Sequence, residues 1–100
     1  MIDNIIVENI IKERKKLHPD DPRVIEKWKE LIRIFVRDEE ETIAYLYSCD
    51  KENIYWISEI FEDISEQLKS LRFIDCLEQL SIKFSDLNLE QDIMYAKEVL

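Results

Sequence analysis

The chain has 100 residues, enough for one small domain, and its 46% apolar content recurs periodically, which excludes a disordered chain. Its net charge of −9 argues against direct binding of nucleic acid or of an anionic membrane, because both need a basic surface. Glycine is absent, so tight β-hairpin turns lack their usual residue. We therefore predict one all-α domain over residues 1–100, a compact bundle or short stack of about six antiparallel helices.

The first helix is predicted from about Asp3 to Leu17, and His18-Pro19 ends it, because a proline disfavours helix at the preceding residue. Its buried stripe is expected to consist of the apolar residues at helical spacing: Ile6, Ile10 and Leu17, with Ile2, Ile5 and Ile11 adjacent.

Asp21 and Pro22 are the predicted N-cap and first residue of the second helix, which continues to about Arg37. Trp28 is expected in the core. The outer face of this helix carries both signs of charge and by itself indicates no partner; it contains Lys27, Lys29, Arg33, Arg37, Glu26 and Glu30.

The third helix is short and ends near Ser48. Asp38 and Glu41 at its start have the spacing of a capping box. Asp50 is the predicted N-cap of the fourth helix, which we expect to continue unbroken to about Lys69.

The fourth helix contains the most unusual feature of the sequence. Residues 38–66 hold ten acidic side chains and one lysine, whereas residues 1–37 carry a net charge of +2 and residues 67–100 a net charge of −2. At 100° per residue, an apolar stripe lies on one side of this helix and like-charge neighbours lie opposite, each pair costing about 0.2–0.5 kcal/mol. The predicted partner-binding face consists of Glu52, Tyr55, Trp56, Glu59, Glu62, Asp63 and Glu66, with Trp56 at the seam.

Ser70 is the predicted N-cap of the fifth helix, and Asn88 with Gln91 has cap spacing for the sixth. The residues of the fifth helix that are expected to pack inward are Leu71, Phe73, Ile74, Leu77, Leu80 and Phe84. Those of the sixth are Ile93, Met94, Ala96, Val99 and Leu100.

The cysteines, Cys49 and Cys76, lack the spacing of a metal site and are expected to be reduced, with a disulfide between them left open. The N-terminal residues do not have the pattern of a secretory signal, and no apolar run is long enough to span a bilayer. We expect a cytoplasmic protein.

Catalysis is not predicted, and no cofactor or metal is expected. His18 is the only histidine and lies in a turn, and a phosphate-binding glycine loop is impossible without glycine. One enzymatic alternative stays open, a small all-α magnesium-dependent nucleotide pyrophosphatase. Its ligands would be acidic pairs at i, i+3: Glu59 with Glu62, Asp63 with Glu66, and Asp38 with Glu41.

The run Trp56-Ile57-Ser58-Glu59-Ile60-Phe61-Glu62-Asp63-Ile64 resembles small helical immunity proteins of bacterial polymorphic toxin systems, including those of contact-dependent growth inhibition. The resemblance covers roughly residues 54–100, including Phe73-Ile74-x-x-Leu77-x-x-Leu80. It implies a bacterial protein that binds and neutralises a cognate toxin domain with a basic surface, often a nuclease.

Composition alone predicts a binding module for a basic protein, and the resemblance adds the toxin. A helical adaptor that uses the same face differently is the further alternative. Because two faces this acidic would repel each other, a monomer is favoured.

Overall fold

The computed structural model describes all 100 residues, which form seven α-helices and two 3₁₀ turns without any strand. The helices are α1 (Asn4–Lys15), α2 (Arg23–Phe35), α3 (Glu39–Ser48), α4 (Lys51–Ile57), α5 (Phe61–Leu68), α6 (Leu71–Lys83) and α7 (Glu90–Glu98). The predicted all-α class is confirmed. All six predicted helices are present, but the fourth is interrupted by a 3₁₀ turn at Ser58–Ile60 and becomes α4 and α5.

Side-chain caps fix the starts of four helices. Asp3 accepts hydrogen bonds from the amides of Ile5 and Ile6 at α1, and the predicted caps Asp38, Asp50 and Ser70 each accept one from the amide three residues later, at 2.9 to 3.0 Å. Such a bond satisfies a backbone donor that the helix leaves free.

The first residues of two helices differ from the prediction. The α2 helix begins at Arg23, one residue late, with Asp21 accepting the Arg23 amide at 2.9 Å. The prediction that Asn88 caps the last helix is wrong. Asn88 has a left-handed backbone conformation (φ 55°) and ends the second 3₁₀ turn, so α7 begins after Leu89 without a side-chain cap.

The core is one cluster of 20 buried residues, centred on the middle of the chain. Ile54, Ile57, Ile60, Phe61 and Ile64 have no exposed surface. Burying each such side chain contributes roughly 1.5–3 kcal/mol, so this stretch anchors the fold.

Three apolar residues that were predicted to pack inward are instead exposed. Leu71 is 76% exposed, Met94 51% and Leu100 44%. Each lies at or beyond the edge of its helix's apolar stripe, where the neighbouring helix does not reach.

The C-terminal helices α5, α6 and α7 form an up-down-up unit. Lys97 pairs with Glu78 at 2.6 Å, as expected for antiparallel α6 and α7. By contrast, Ser65 donates to the Ala96 carbonyl at 2.6 Å and Lys69 to the Val99 carbonyl, so α5 and α7 run parallel, and this pair has the most extensive contact in the molecule. Consecutive helices are therefore antiparallel here, as predicted, and α5 and α7, which are not consecutive, are parallel.

The buried face of α1 is rotated by about one residue from the predicted stripe. Val7, Ile10, Ile11 and Arg14 are buried, whereas Ile5 is 70% and Ile6 51% exposed. The rotation turns Arg14 inward, where it finds an acidic partner, and leaves two isoleucines at the surface.

Cys49 and Cys76 are both free and buried, as predicted for reduced thiols. Burial raises the pKa of Cys49 to about 12 and that of Cys76 to about 11. None of the helices combines the length and apolarity that crossing a bilayer requires.

Candidate functional site

The predicted acidic face does not lie on one helix. α4 ends at Ile57, and Ser58 donates its hydroxyl to the Tyr55 carbonyl at 2.5 Å. Serine bonding back to the preceding turn bends helices, and Ile60 then leaves helical geometry (φ −120°, ψ 13°). Because the helical phase is lost between Ile57 and Phe61, residues before and after the 3₁₀ turn do not share one face.

Glu59, at the centre of the predicted face, is bound within the molecule. Arg14 donates from Nε to Oε1 at 2.9 Å and from Nη2 to Oε2 at 2.7 Å, and Trp28 donates its indole N–H to Oε1 at 3.0 Å. The Arg14 side chain is 6% exposed and that of Glu59 27%. The expectation that Glu59 is free for a partner is therefore wrong: it neutralises a buried arginine.

The rest of the predicted site on α4 also contacts α1. Glu52 pairs with Lys15. Trp56 packs against the core with the Arg14 guanidinium 5.1 Å from its ring centroid, a cation–π contact. Tyr55, whose ring lies edge-on to Trp56 at 5.3 Å, is 51% exposed. Of this group, Tyr55 and Glu52 are exposed, but Glu52 already has a partner within the protein.

The acids of α5 differ from those of α4. Glu62, Asp63 and Glu66 are exposed and take part in no ion pair. Partial burial, with the Glu66 carboxylate adding to it, raises the pKa of Asp63 above its ordinary value. These three side chains are the part of the predicted site that the structure keeps together and leaves unneutralised.

Helix α7 extends this charge, which sequence reasoning missed. Asp92 shares the i, i+4, i+7 row of Ala96 and Val99, the residues that meet α5. It makes no ion pair, and burial together with the Glu59 carboxylate raises its pKa. Tyr95, 44% exposed, follows three residues later. No local pattern signals this pairing, because it depends on α5 and α7 being parallel across an intervening helix.

The surface formed by Glu62, Asp63, Glu66, Asp92 and Tyr95 is named here the α5–α7 acidic surface. Glu62 and Glu66 lie at i−3 and i+1 from Ser65, the α5 residue that bonds α7, so they border the α5–α7 seam. The one nearby cation, Lys69, donates to the carbonyl of Val99 at the end of α7 rather than to a carboxylate. The surface therefore combines clustered negative charge with one aromatic side chain.

Three of the six acids in the pairs of the enzymatic alternative serve other roles. Asp38 caps α3, Glu41 pairs with the N-terminal ammonium, and Glu59 binds Arg14. No group of three or more His, Cys, Asp or Glu side chains converges with the geometry of a metal site. The arrangement thus gives no support to a magnesium-dependent hydrolase.

Comparison of the chain with protein-family models, curated proteins and solved structures finds no match. Function is therefore inferred from the surface itself.

Proposed function

We propose that this protein binds a basic protein partner through the α5–α7 acidic surface and that, as the resemblance of residues 54–100 implies, the partner is a toxin domain that it neutralises. The observation that carries the proposal is how the ten acids of residues 38–66 are used. Seven are capping residues or members of ion pairs; the three that stay free are contiguous on α5.

These free acids are unfavourable for the isolated protein. Glu62 with Glu66, and Asp63 with Glu66, are like-charge neighbours at helical spacing, each destabilising by about 0.2–0.5 kcal/mol. Burial, with the Glu66 carboxylate adding to it, also disfavours the charged form of Asp63 and raises its pKa. Lysines or arginines of a partner would remove this repulsion and supply the missing ion pairs.

The negative charge of the α5–α7 acidic surface would also speed the approach of a basic partner before the two proteins touch. An acidic patch raises the encounter rate with a basic protein, and exposed aromatic side chains such as Tyr95 supply apolar contact once docked. Many nucleases bind the phosphates of their substrate with basic residues. An acidic surface held against such residues would exclude nucleic acid by occupying the same charges, and the inhibitor itself would need no catalytic group or cofactor.

The test begins with the gene next to the one for this chain. We predict that it encodes a large secreted protein with a variable C-terminal domain, and that producing this domain in the bacterial cytoplasm arrests growth. Co-production of the full chain should restore growth, whereas the Glu62→Lys/Glu66→Lys variant should restore it less.

The matched control is Glu26→Lys/Asp75→Lys, which changes net charge equally at two exposed acids that lie in no ion pair and outside the α5–α7 acidic surface. This variant should protect as well as the unaltered chain. Absence of protection by the unaltered chain would refute the toxin proposal, and equal protection by both variants would refute the assignment of the surface.

A further inference from the structure

A second surface, of opposite charge, lies along the junction of α1 and α2. Two depressions meet at Ile34 and Arg37 and form a continuous groove, called here the α1–α2 groove. Its apolar floor consists of Ile2, Ile6, Ile10 and Ile34. The rotation of α1 that buries Arg14 places Ile6 in this groove with 51% of its surface exposed.

Two cations line the groove. Arg33 lies on α2 and Arg37 lies two residues beyond the end of this helix, and both are exposed and make no ion pair. The sequence predicted a face of mixed charge here. In the fold, Glu30 also lines the groove, but it pairs with Lys27 at 3.3 Å and not with Arg33 or Arg37.

The other acids that line the groove are also occupied. Asp3 caps α1 by accepting the Ile5 amide at 2.9 Å, and Glu41 pairs with the N-terminal ammonium. The groove therefore presents an apolar floor and unneutralised guanidinium groups, although the protein as a whole carries a charge of −9.

We propose that the α1–α2 groove binds an amphipathic helix of a partner protein, one that carries acidic residues beside an apolar row. Arg33 and Arg37 both border the apolar floor and have no acidic partner within the protein, so carboxylates of the incoming helix would supply the missing ion pairs. Each guanidinium can hold a carboxylate through two parallel hydrogen bonds. The apolar row of the incoming helix would cover the exposed parts of Ile2, Ile6 and Ile34.

Charge complementarity favours this occupant over others. Two cations are few for a nucleic acid, and phosphates make no favourable contact with an isoleucine floor. An anionic membrane would be repelled by the net charge of −9. A second copy could offer the acids of α5, but the apolar side of that helix, Phe61 and Ile64, is fully buried in its own core. The groove and the α5–α7 acidic surface use different residues, so this inference stands or falls separately from the proposed function.

The test uses the full chain and a synthetic helix-forming peptide with a leucine row flanked by glutamates at i, i+4. Fluorescence anisotropy of the labelled peptide should show saturable binding. Two matched peptides, with the glutamates changed to lysine or the leucines to serine, should each bind at least tenfold more weakly.

Variants of the protein locate the site. Arg33→Glu/Arg37→Glu should weaken binding of the acidic peptide at least tenfold. The matched control is Lys12→Glu/Lys16→Glu, which reverses two other exposed cations at i, i+4 that make no ion pair, and it should change affinity less than twofold. Circular dichroism melts verify that both variants fold.

Four results would overturn the inference. They are absence of saturable peptide binding, equal losses in the two double variants, binding of anionic phosphatidylserine vesicles in preference to the peptide, or a light-scattering mass that shows self-association lost in the Arg33→Glu/Arg37→Glu variant.

Discussion

Arg14 and Glu59 lie 45 residues apart in the chain and form the ion pair that organises the interior of the N-terminal half. Arg14 appeared in the sequence as part of a basic helix end, and Glu59 as part of an acidic face. Together with the Trp28 indole they make a mutually satisfied polar contact under the α4–α5 break. This pair explains why the helix face that contacts the core includes an arginine.

Removing Glu59 leaves a buried charge without a partner. We expect Glu59→Gln to lower the free energy of unfolding by about 2–4 kcal/mol, somewhat below the loss for a fully buried pair because Glu59 is 27% exposed. Glu52→Gln, which breaks the exposed pair with Lys15, should cost less than about 1 kcal/mol. Urea denaturation measures both, and equal effects would contradict the structural role of Glu59.

Replacing Asp63 should raise the stability of the protein, whereas replacing Glu59 should lower it. Its folded-state pKa is raised, so the folded state binds protons more readily than the unfolded state and stability falls as pH rises through that window. Asp63→Asn should therefore stabilise the protein at pH 7 by about 0.2–0.5 kcal/mol, the size of one like-charge contact. At pH 3, where the carboxyl is protonated in both states, the gain should vanish. Denaturation at the two pH values tests this, and a loss of stability at pH 7 would oppose it.

At the scale of the helices, the sequence predicted correctly the features that depend only on nearby residues, such as the N-caps. The caps Asp38, Asp50 and Ser70 were found because the residue type and the spacing of the amide it accepts are both local. The continuity of α4 and α5 was wrong because the apolar spacing of Ile57, Phe61 and Ile64 is compatible with one helix. At the break itself, Ser58 bonds back to the Tyr55 carbonyl and Glu59 pairs with the distant Arg14.

The cap of α6 offers a direct check at this level. Ser70, 7% exposed, accepts the Phe73 amide at 3.0 Å, and Phe73 packs edge-on against Phe61 in the core. Ser70→Ala should lower stability by about 1 kcal/mol, because the amide loses its partner. Ser85→Ala, in an exposed turn, should change stability by less than about 0.5 kcal/mol. Thermal unfolding of both variants makes the comparison, and no difference between them would contradict the assigned cap.

In the whole molecule, folding decides which charged side chains stay unpaired, and it leaves the unpaired acids and the unpaired cations on different surfaces. Ion pairs between distant segments neutralise five of the ten acids of residues 38–66, and two more cap helices. Free negative charge then remains on α5 and α7, and free positive charge remains at Arg33 and Arg37. The sequence identified the acidic third and three of the residues in the α5–α7 acidic surface. It could not identify Asp92 or exclude Glu52 and Glu59, because both outcomes depend on long-range pairing.

The association rate of the toxin domain encoded beside this chain tests the central claim most directly. Stopped-flow fluorescence at low ionic strength should show Glu62→Lys/Glu66→Lys associating about tenfold more slowly than the unaltered chain, with the difference shrinking at high salt. Glu26→Lys/Asp75→Lys should stay within about twofold, because steering depends on where charge lies as well as on its sum. Equal slowing of both variants, or an unchanged rate for Glu62→Lys/Glu66→Lys, would contradict a partner-binding role for the α5–α7 acidic surface.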